Sequence, residues 1–271
     1  MNSLFNLITI YLIKLTLINY CSGHGRLIDP PGRSTAWRFG FRTPINYNDN
    51  QLFCGGFMVQ HKVNSGKCGI CGDPFNGQRT NELPDGRYAR PLMITRNYRV
   101  GSVIKTSVQL TANHKGYFVF KICPAISSIR EVTQSCLDSH PLKVINSPNP
   151  LRYYVPDKLS RVFNVTLRLP PTLTCQRCVI QWTYTTGNNW GRCEDGKTSK
   201  VGCGPQETFR ACADVTIKGQ IKNRQRNQTK TTTKPKLKSK IKPYQLNLNS
   251  NYTKTLKSQL INSNSFQSNN L

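Results

Sequence analysis

The sequence predicts an all-β protein, an antiparallel β-sandwich with long disulfide-stapled loops. Three observations lead there. From residue 99 onward, short runs alternate apolar and polar side chains with turn residues between them, the pattern of strands with one buried face. Residues 24–98 are strewn with Gly, Pro, Asn and Asp (DPPGRS, CGGF, CGICGDPFNG, LPDGR) and keep no helical period. Eleven cysteines in 271 residues exceed what an ordinary cytosolic protein of this size carries.

The strands follow in order. Residues 103–110 alternate. Residues 117–123 (YFVFKIC) put Tyr117, Val119 and Lys121 on one face and Phe118, Phe120 and Ile122 on the other, because side chains two apart share a face. Residues 162–169 (VFNVTLRL) alternate again, and 179–185 (VIQWTYT) and 211–217 complete the set. Several short strands with turn signals between them pack as two facing sheets. The irregular 24–98 segment needs staples to stay ordered; Cys54, Cys68 and Cys71 are the candidates, with short helical turns expected around 34–39.

Charge divides the chain. Lys and Arg number 38 against 12 Asp and Glu, for a net charge of +26. All the acids lie between Asp29 and Asp214, whereas 218–271 holds twelve basic side chains and no acid. Residues 4–20 are largely apolar, interrupted by Asn6, Lys14 and Asn19, and small residues follow at Cys21-Ser22-Gly23. That is the pattern of a secretory signal cleaved after Gly23, and Lys14 breaks the run a membrane anchor would need. The expected organisation is a signal peptide over 1–23, one folded domain over 24–217 and a basic disordered tail over 218–271. The protein is therefore expected to be secreted, with no membrane partner. Lys234, Lys236, Lys238, Lys240 and Lys242 make the tail a flexible polycation.

Cleavage removes Cys21 and leaves ten cysteines, enough for five disulfides whose connectivity stays open. Cys68/Cys71 and Cys175/Cys178 have the spacing of zinc ligands, but oxidation in the secretory pathway competes for those thiols. Asn164, Asn227 and Asn251 begin glycosylation acceptor triplets.

Cleavage also makes His24 the first residue. Its α-amine and imidazole nitrogen can then chelate one metal, and a second imidazole completes a planar three-nitrogen site. Copper(II) prefers such tetragonal nitrogen ligation, and an α-amine with an ordinary pKa near 8 gives up its proton at little cost. His114, in a polar turn between two expected strands, can supply the second imidazole. Ala112, two residues earlier, is small enough to leave the side of the metal open. His61 and His140 are expected to be ordinary surface residues.

HGRLIDPPGRSTAWRFGF, TANHKGYFVFKIC, CVIQWTYTTGNNWG and CGPQETFRACADV together resemble the lytic polysaccharide monooxygenases, and within them auxiliary-activity family 15, across nearly all of 24–217. The resemblance implies an immunoglobulin- or fibronectin-like sandwich with a flat copper face. It implies oxidative cleavage of glycosidic bonds in crystalline chitin or cellulose, using oxygen or hydrogen peroxide and an external reductant. It carries the copper ligands onto His24 and His114 and the axial aromatic onto Phe209, where many members have Tyr. Glu207, two residues before Phe209, is then expected to face the same metal and to steer the oxidant. Chitin is the expected polymer, since that family has many chitin-active members and no separate cellulose-binding module is visible.

Two other readings share parts of this pattern. A secreted, non-enzymatic chitin-binding or cuticle protein shares the disulfides, aromatics and secretion, but has no reason to begin with His. A basic nucleic-acid binder fits the charge, yet secretion and disulfides argue against nucleic acid; the tail remains either a salt-sensitive contact for anionic matrix or a solubilising segment. No paired-carboxylate hydrolase site stands out. The enzyme is expected to act as a monomer.

Overall fold

The structure is a computed structural model that describes residues 23–219. The expected signal up to residue 22 and the tail beyond 219, with Asn227 and Asn251, lie outside the described residues. Eleven strands are present among them: β1 (His24–Asp29), β2 (Ile94–Arg99), β3 (Val103–Ala112), β4 (Tyr117–Pro124), β5 (Lys143–Val144), β6 (Tyr153–Tyr154), β7 (Val162–Arg168), β8 (Cys175–Thr185), β9 (Trp190–Arg192), β10 (Ser199–Val201) and β11 (Thr208–Lys218). One short α-helix, α1 (Gln134–Ser139), is capped by the Thr133 hydroxyl, which accepts the Cys136 N–H, and the helical turn expected around 34–39 is a 3-10 turn over Ala36–Phe39.

Two sheets form the sandwich. One runs β1-β3-β7-β5 and the other β2-β11-β8-β4-β6, while β9 and β10 make a separate hairpin. Alternation drives the packing: in β4 and β8 the residues Phe118, Phe120, Ile122, Ile180, Trp182 and Tyr184 all turn inward and are fully buried. They meet Leu27, Val108, Val165 and Leu167 from the other sheet in a single core. Burying each such side chain contributes roughly 1.5–3 kcal/mol.

The all-β sandwich agrees with the sequence reading, and two elements add to it. The loop-rich 24–98 segment also holds β1 and all but the last residue of β2. The segment HGRLID has little alternation of its own; it becomes a strand by pairing antiparallel with β3, with His24 opposite Ala112 and Leu27 opposite Val108. The edge strand β2 runs parallel to β11, with Ile94 opposite Asp214, a single parallel pair in an otherwise antiparallel sheet.

All ten described cysteines are bridged: Cys54–Cys68, Cys71–Cys212, Cys123–Cys136, Cys175–Cys178 and Cys193–Cys203. Cys68 and Cys71 thus go to different partners, and no pair is left to hold zinc. Cys71–Cys212 ties the irregular N-terminal region to β11. Beside it, the Arg33 guanidinium bridges Asp214 (2.7 Å) and Glu131 (2.6 Å), and Arg177 also reaches Asp214 at 3.0 Å. These side chains are almost wholly buried, so each charge depends on its partners.

Candidate metal centre

The centre is built where β1 begins, beside the β3–β4 turn and the start of β11. His24 is the first residue of β1 and is half-buried. The next residue must be glycine: a methyl group on Gly25 would lie 2.6 Å from Leu110 Cδ2 and 3.2 Å from Trp182 Cη2. His24 is therefore held close against the sandwich by its neighbour's lack of a side chain.

His114 sits in the β3–β4 turn, and both its main-chain groups are engaged. Its N–H donates to the Tyr184 hydroxyl at 3.0 Å, and its carbonyl accepts the Gly187 N–H at 3.0 Å. Buried Asn113 fixes the same turn. Its amide donates to the carbonyls of Asp157 and Leu159, and its oxygen accepts the Lys115 N–H. Lys115 has a φ of 58°, a left-handed conformation that costs a lysine some strain. The turn holds this shape because its hydrogen bonds over-determine it.

Phe209 lies in β11 opposite Tyr184, fully buried, and stacks between Tyr184 and Phe53 with centroids 5.8 and 6.3 Å away. Its ring is 6.4 Å from the His24 ring. Glu207 immediately precedes β11 and points to the same place: its Oε2 accepts the Gly23 N–H at 3.0 Å. Burial pushes the Glu207 carboxyl above its usual range, and the Gly23 N–H offsets part of that rise.

Gly23 shows how these residues converge. A methyl group built on it would meet Phe209 Cε2 at 3.1 Å, Thr186 Cγ2 at 3.1 Å and His114 Cδ2 at 3.2 Å. The residue ahead of His24 thus fills the space bounded by the His114 ring, the Phe209 ring and the Glu207 carboxylate. Cutting the Gly23–His24 bond would open that space and turn the His24 amide, a poor ligand, into an amine. Two imidazoles and an amine beside an apolar ring form a donor set that suits copper, which prefers tetragonal nitrogen ligation. Among the described residues no group of three or more His, Cys, Asp or Glu could hold a metal; a site of this type takes its third nitrogen from the main chain.

All five expected site residues meet here: His24, His114, Ala112, Glu207 and Phe209. Ala112, half-buried, is the cross-strand neighbour of His24. His61 and His140 lie elsewhere and are half-buried rather than plain surface residues. His61 hydrogen-bonds the Gln206 carbonyl at 2.8 Å, and His140 the Cys136 carbonyl at 2.8 Å. Sequence reasoning missed Tyr184 and Asn113 as supports for His114. Tyr184 reads as one more inward residue of an alternating strand, and only the fold brings its hydroxyl to the turn.

Comparisons with known proteins show the family. Residues 24–215 match a family described as lytic polysaccharide mono-oxygenase, cellulose-degrading. Among solved structures, the chain is similar to an AA15 lytic polysaccharide monooxygenase from Thermobia domestica in the Cu(I) state, at 42% identity and a TM-score of 0.68, covering 72% of this chain and 98% of that one. A more distant match is LPMO10B from Micromonospora aurantiaca, at 12% identity and a TM-score of 0.37, covering 71% of this chain and 99% of that one. No curated protein matches. The chain belongs to the lytic polysaccharide monooxygenases, copper-dependent enzymes that cleave polysaccharides oxidatively.

Proposed function

We propose that this chain is a secreted monooxygenase, cut after Gly23, that binds copper through the His24 amine, the His24 imidazole and the His114 imidazole and attacks crystalline chitin. The catalytic domain is 24–217, acting as a monomer, and the basic tail 218–271 is dispensable for bond breaking. The observation that carries the reading is the lodging of Gly23 among His114, Phe209 and Glu207. The choice of chitin rests on the resemblance to family 15; the matching family's own description names cellulose, so both polymers belong in the test.

Copper supplies the redox chemistry by which oxygen or peroxide, together with an external reductant, attacks a sugar C–H bond. The chain's residues do the rest. His24 and His114 are positioned by main-chain pairing, so the ligands need little reorganisation on binding. Phe209 presents an apolar ring, without the hydroxyl that a Tyr would add, and excludes water from its side. Glu207, freed of the Gly23 N–H, keeps a buried carboxyl that can hold a proton at Oε2 and hydrogen-bond the oxidant. Ala112 leaves room beside His24. Asn164 lies exposed on β7, where a glycan would meet no core residue.

Two measurements test the reading. Titration should give one tight copper(II) site in the mature protein, lost in a form that retains Gly23 and in His114→Ala. With copper and ascorbate, mass analysis should find oxidised oligosaccharides released from β-chitin. Unoxidised sugars without reductant, or products from cellulose alone, would refute the activity or the polymer respectively.

A further inference from the structure

A groove of about 830 Å³ opens beside the metal centre, between the β9–β10 hairpin and the ends of β4, β6 and β8. It adjoins that centre: Lys115 follows His114, Thr186 lines the groove and approaches Gly23, and Gly187 lines the groove and donates its N–H to the His114 carbonyl. Four cations face it, Lys115, Arg152, Arg192 and Lys200. Among the described residues Lys115, Arg192 and Lys200 form no salt bridge. Arg152 lies over the Tyr117 ring at 4.4 Å.

Two acids also line the groove and offset part of this charge. Asp195 accepts the Lys197 and Thr198 N–H groups and the Thr198 hydroxyl within its own turn, and the Lys200 charge also acts on it. Glu194 neighbours Arg152 and offsets one cation of the four.

The second feature is aromatic. Tyr154, 48% exposed, meets Tyr117 edge-on with centroids 6.1 Å apart. Tyrosine faces and hydroxyls match the apolar faces and hydroxyls of pyranose rings. The volume falls within the roughly 300–1,000 Å³ of organic ligand sites and far exceeds what an inorganic anion fills.

From this juxtaposition of an excess of cations and paired tyrosines we infer that the groove binds a segment of anionic polysaccharide, a chain bearing carboxylate or sulfate groups. Lys115, Arg192 and Lys200 meet the acidic groups, and Tyr117 and Tyr154 pack against the rings. Four cations against two acids leave the lining net positive, a charge that a neutral polymer would not meet. The inference does not depend on copper, so it is tested on metal-free protein.

The secreted full-length chain, labelled with nitrogen-15, is titrated at low salt with hexagalacturonate, a heparin hexasaccharide and neutral chitohexaose. One or both acidic probes should shift the Gly116, Gly187 and Gly202 amides, and the two arms tell carboxylate from sulfate recognition. Binding should weaken with added salt. It should fall at least about tenfold in an Arg192→Gln/Lys200→Gln variant and in Lys115→Gln, since each loses charge-assisted bonds. Shifts confined to residues beyond 219 would assign anion binding to the tail and overturn the inference. Equal binding of chitohexaose at the same amides, or unchanged affinity in both variants, would overturn it too.

Discussion

The Tyr184 hydroxyl accepts the His114 main-chain N–H at 3.0 Å, so a core tyrosine of one sheet holds in place a histidine of the candidate metal centre. The same ring stacks on Phe209. Burial pushes the Tyr184 phenol well above its ordinary pKa, and the His114 N–H offsets part of that shift. The phenol therefore stays neutral across the working pH range.

Tyr184→Phe keeps the ring and removes the acceptor. Leaving a buried N–H unpaired costs about 1–3 kcal/mol, which thermal unfolding should register. Copper affinity should fall less than in His114→Ala, because the imidazole remains while its turn loosens. Copper spectra of the variant should be broadened, which a purely stabilising role for Tyr184 would not produce.

Gly25→Ala tests the close approach behind His24. Its new methyl group would overlap Leu110 Cδ2, 2.6 Å away, and press on Trp182. Overpacking of this kind costs typically about 1–3 kcal/mol, and the strain falls on the residue next to the ligand. Both melting temperature and copper affinity should drop. A Gly25→Ala protein with wild-type values for both would show that β1 shifts freely.

Much of the sandwich could be read directly because β4, β7 and β8 alternate strongly over their lengths. What could not be read depends on partners distant in sequence. The strand β1 has no alternation to announce it and exists through its pairing with β3. The parallel register of β2 on β11 joins Ile94 to Asp214, which no local signal reports. The five bridges were countable but not connectable, since Cys71 finds Cys212 across 141 residues. At the site, His24 and His114 were legible from chemistry, and Phe209 and Glu207 from family likeness. Phe53, Asn113 and Tyr184, which support them, became visible only in the fold.

Acid should unfold the protein through Asp214. Burial alone would raise its pKa, but the Arg33 charge and hydrogen bond, with help from Arg177, hold it below the usual carboxylate range. A carboxylate lowered in the folded state contributes stability that is present above its unfolded pKa, near 4, and lost as pH falls through the lower folded value. Stability should therefore decline below about pH 4. Asp214→Asn should flatten that decline and cost about 3–5 kcal/mol at neutral pH, because Arg33 and Arg177 lose a buried partner. Denaturant unfolding across a pH series measures both effects; an unchanged acid limb in the variant would place the sensitivity elsewhere.

The disulfides should differ in worth according to the loops they close. In the chain-entropy account, stabilisation grows with the logarithm of loop length. Cys71–Cys212 closes 141 residues and Cys175–Cys178 only three. The first bridge also pins the irregular N-terminal region against β11, next to the Arg33 network. Replacing both Cys71 and Cys212 by Ala should therefore destabilise strongly, by about 2–5 kcal/mol, and loosen the region that carries Cys54 and Phe53. The matching double replacement at Cys175 and Cys178 should cost much less, because β8 already holds those residues in one strand. Equal losses in melting temperature for the two variants would mean that loop closure does not govern stability here. Thiol titration of the denatured, unreduced mature protein should find no free thiol, and two or more would contradict the fully paired set.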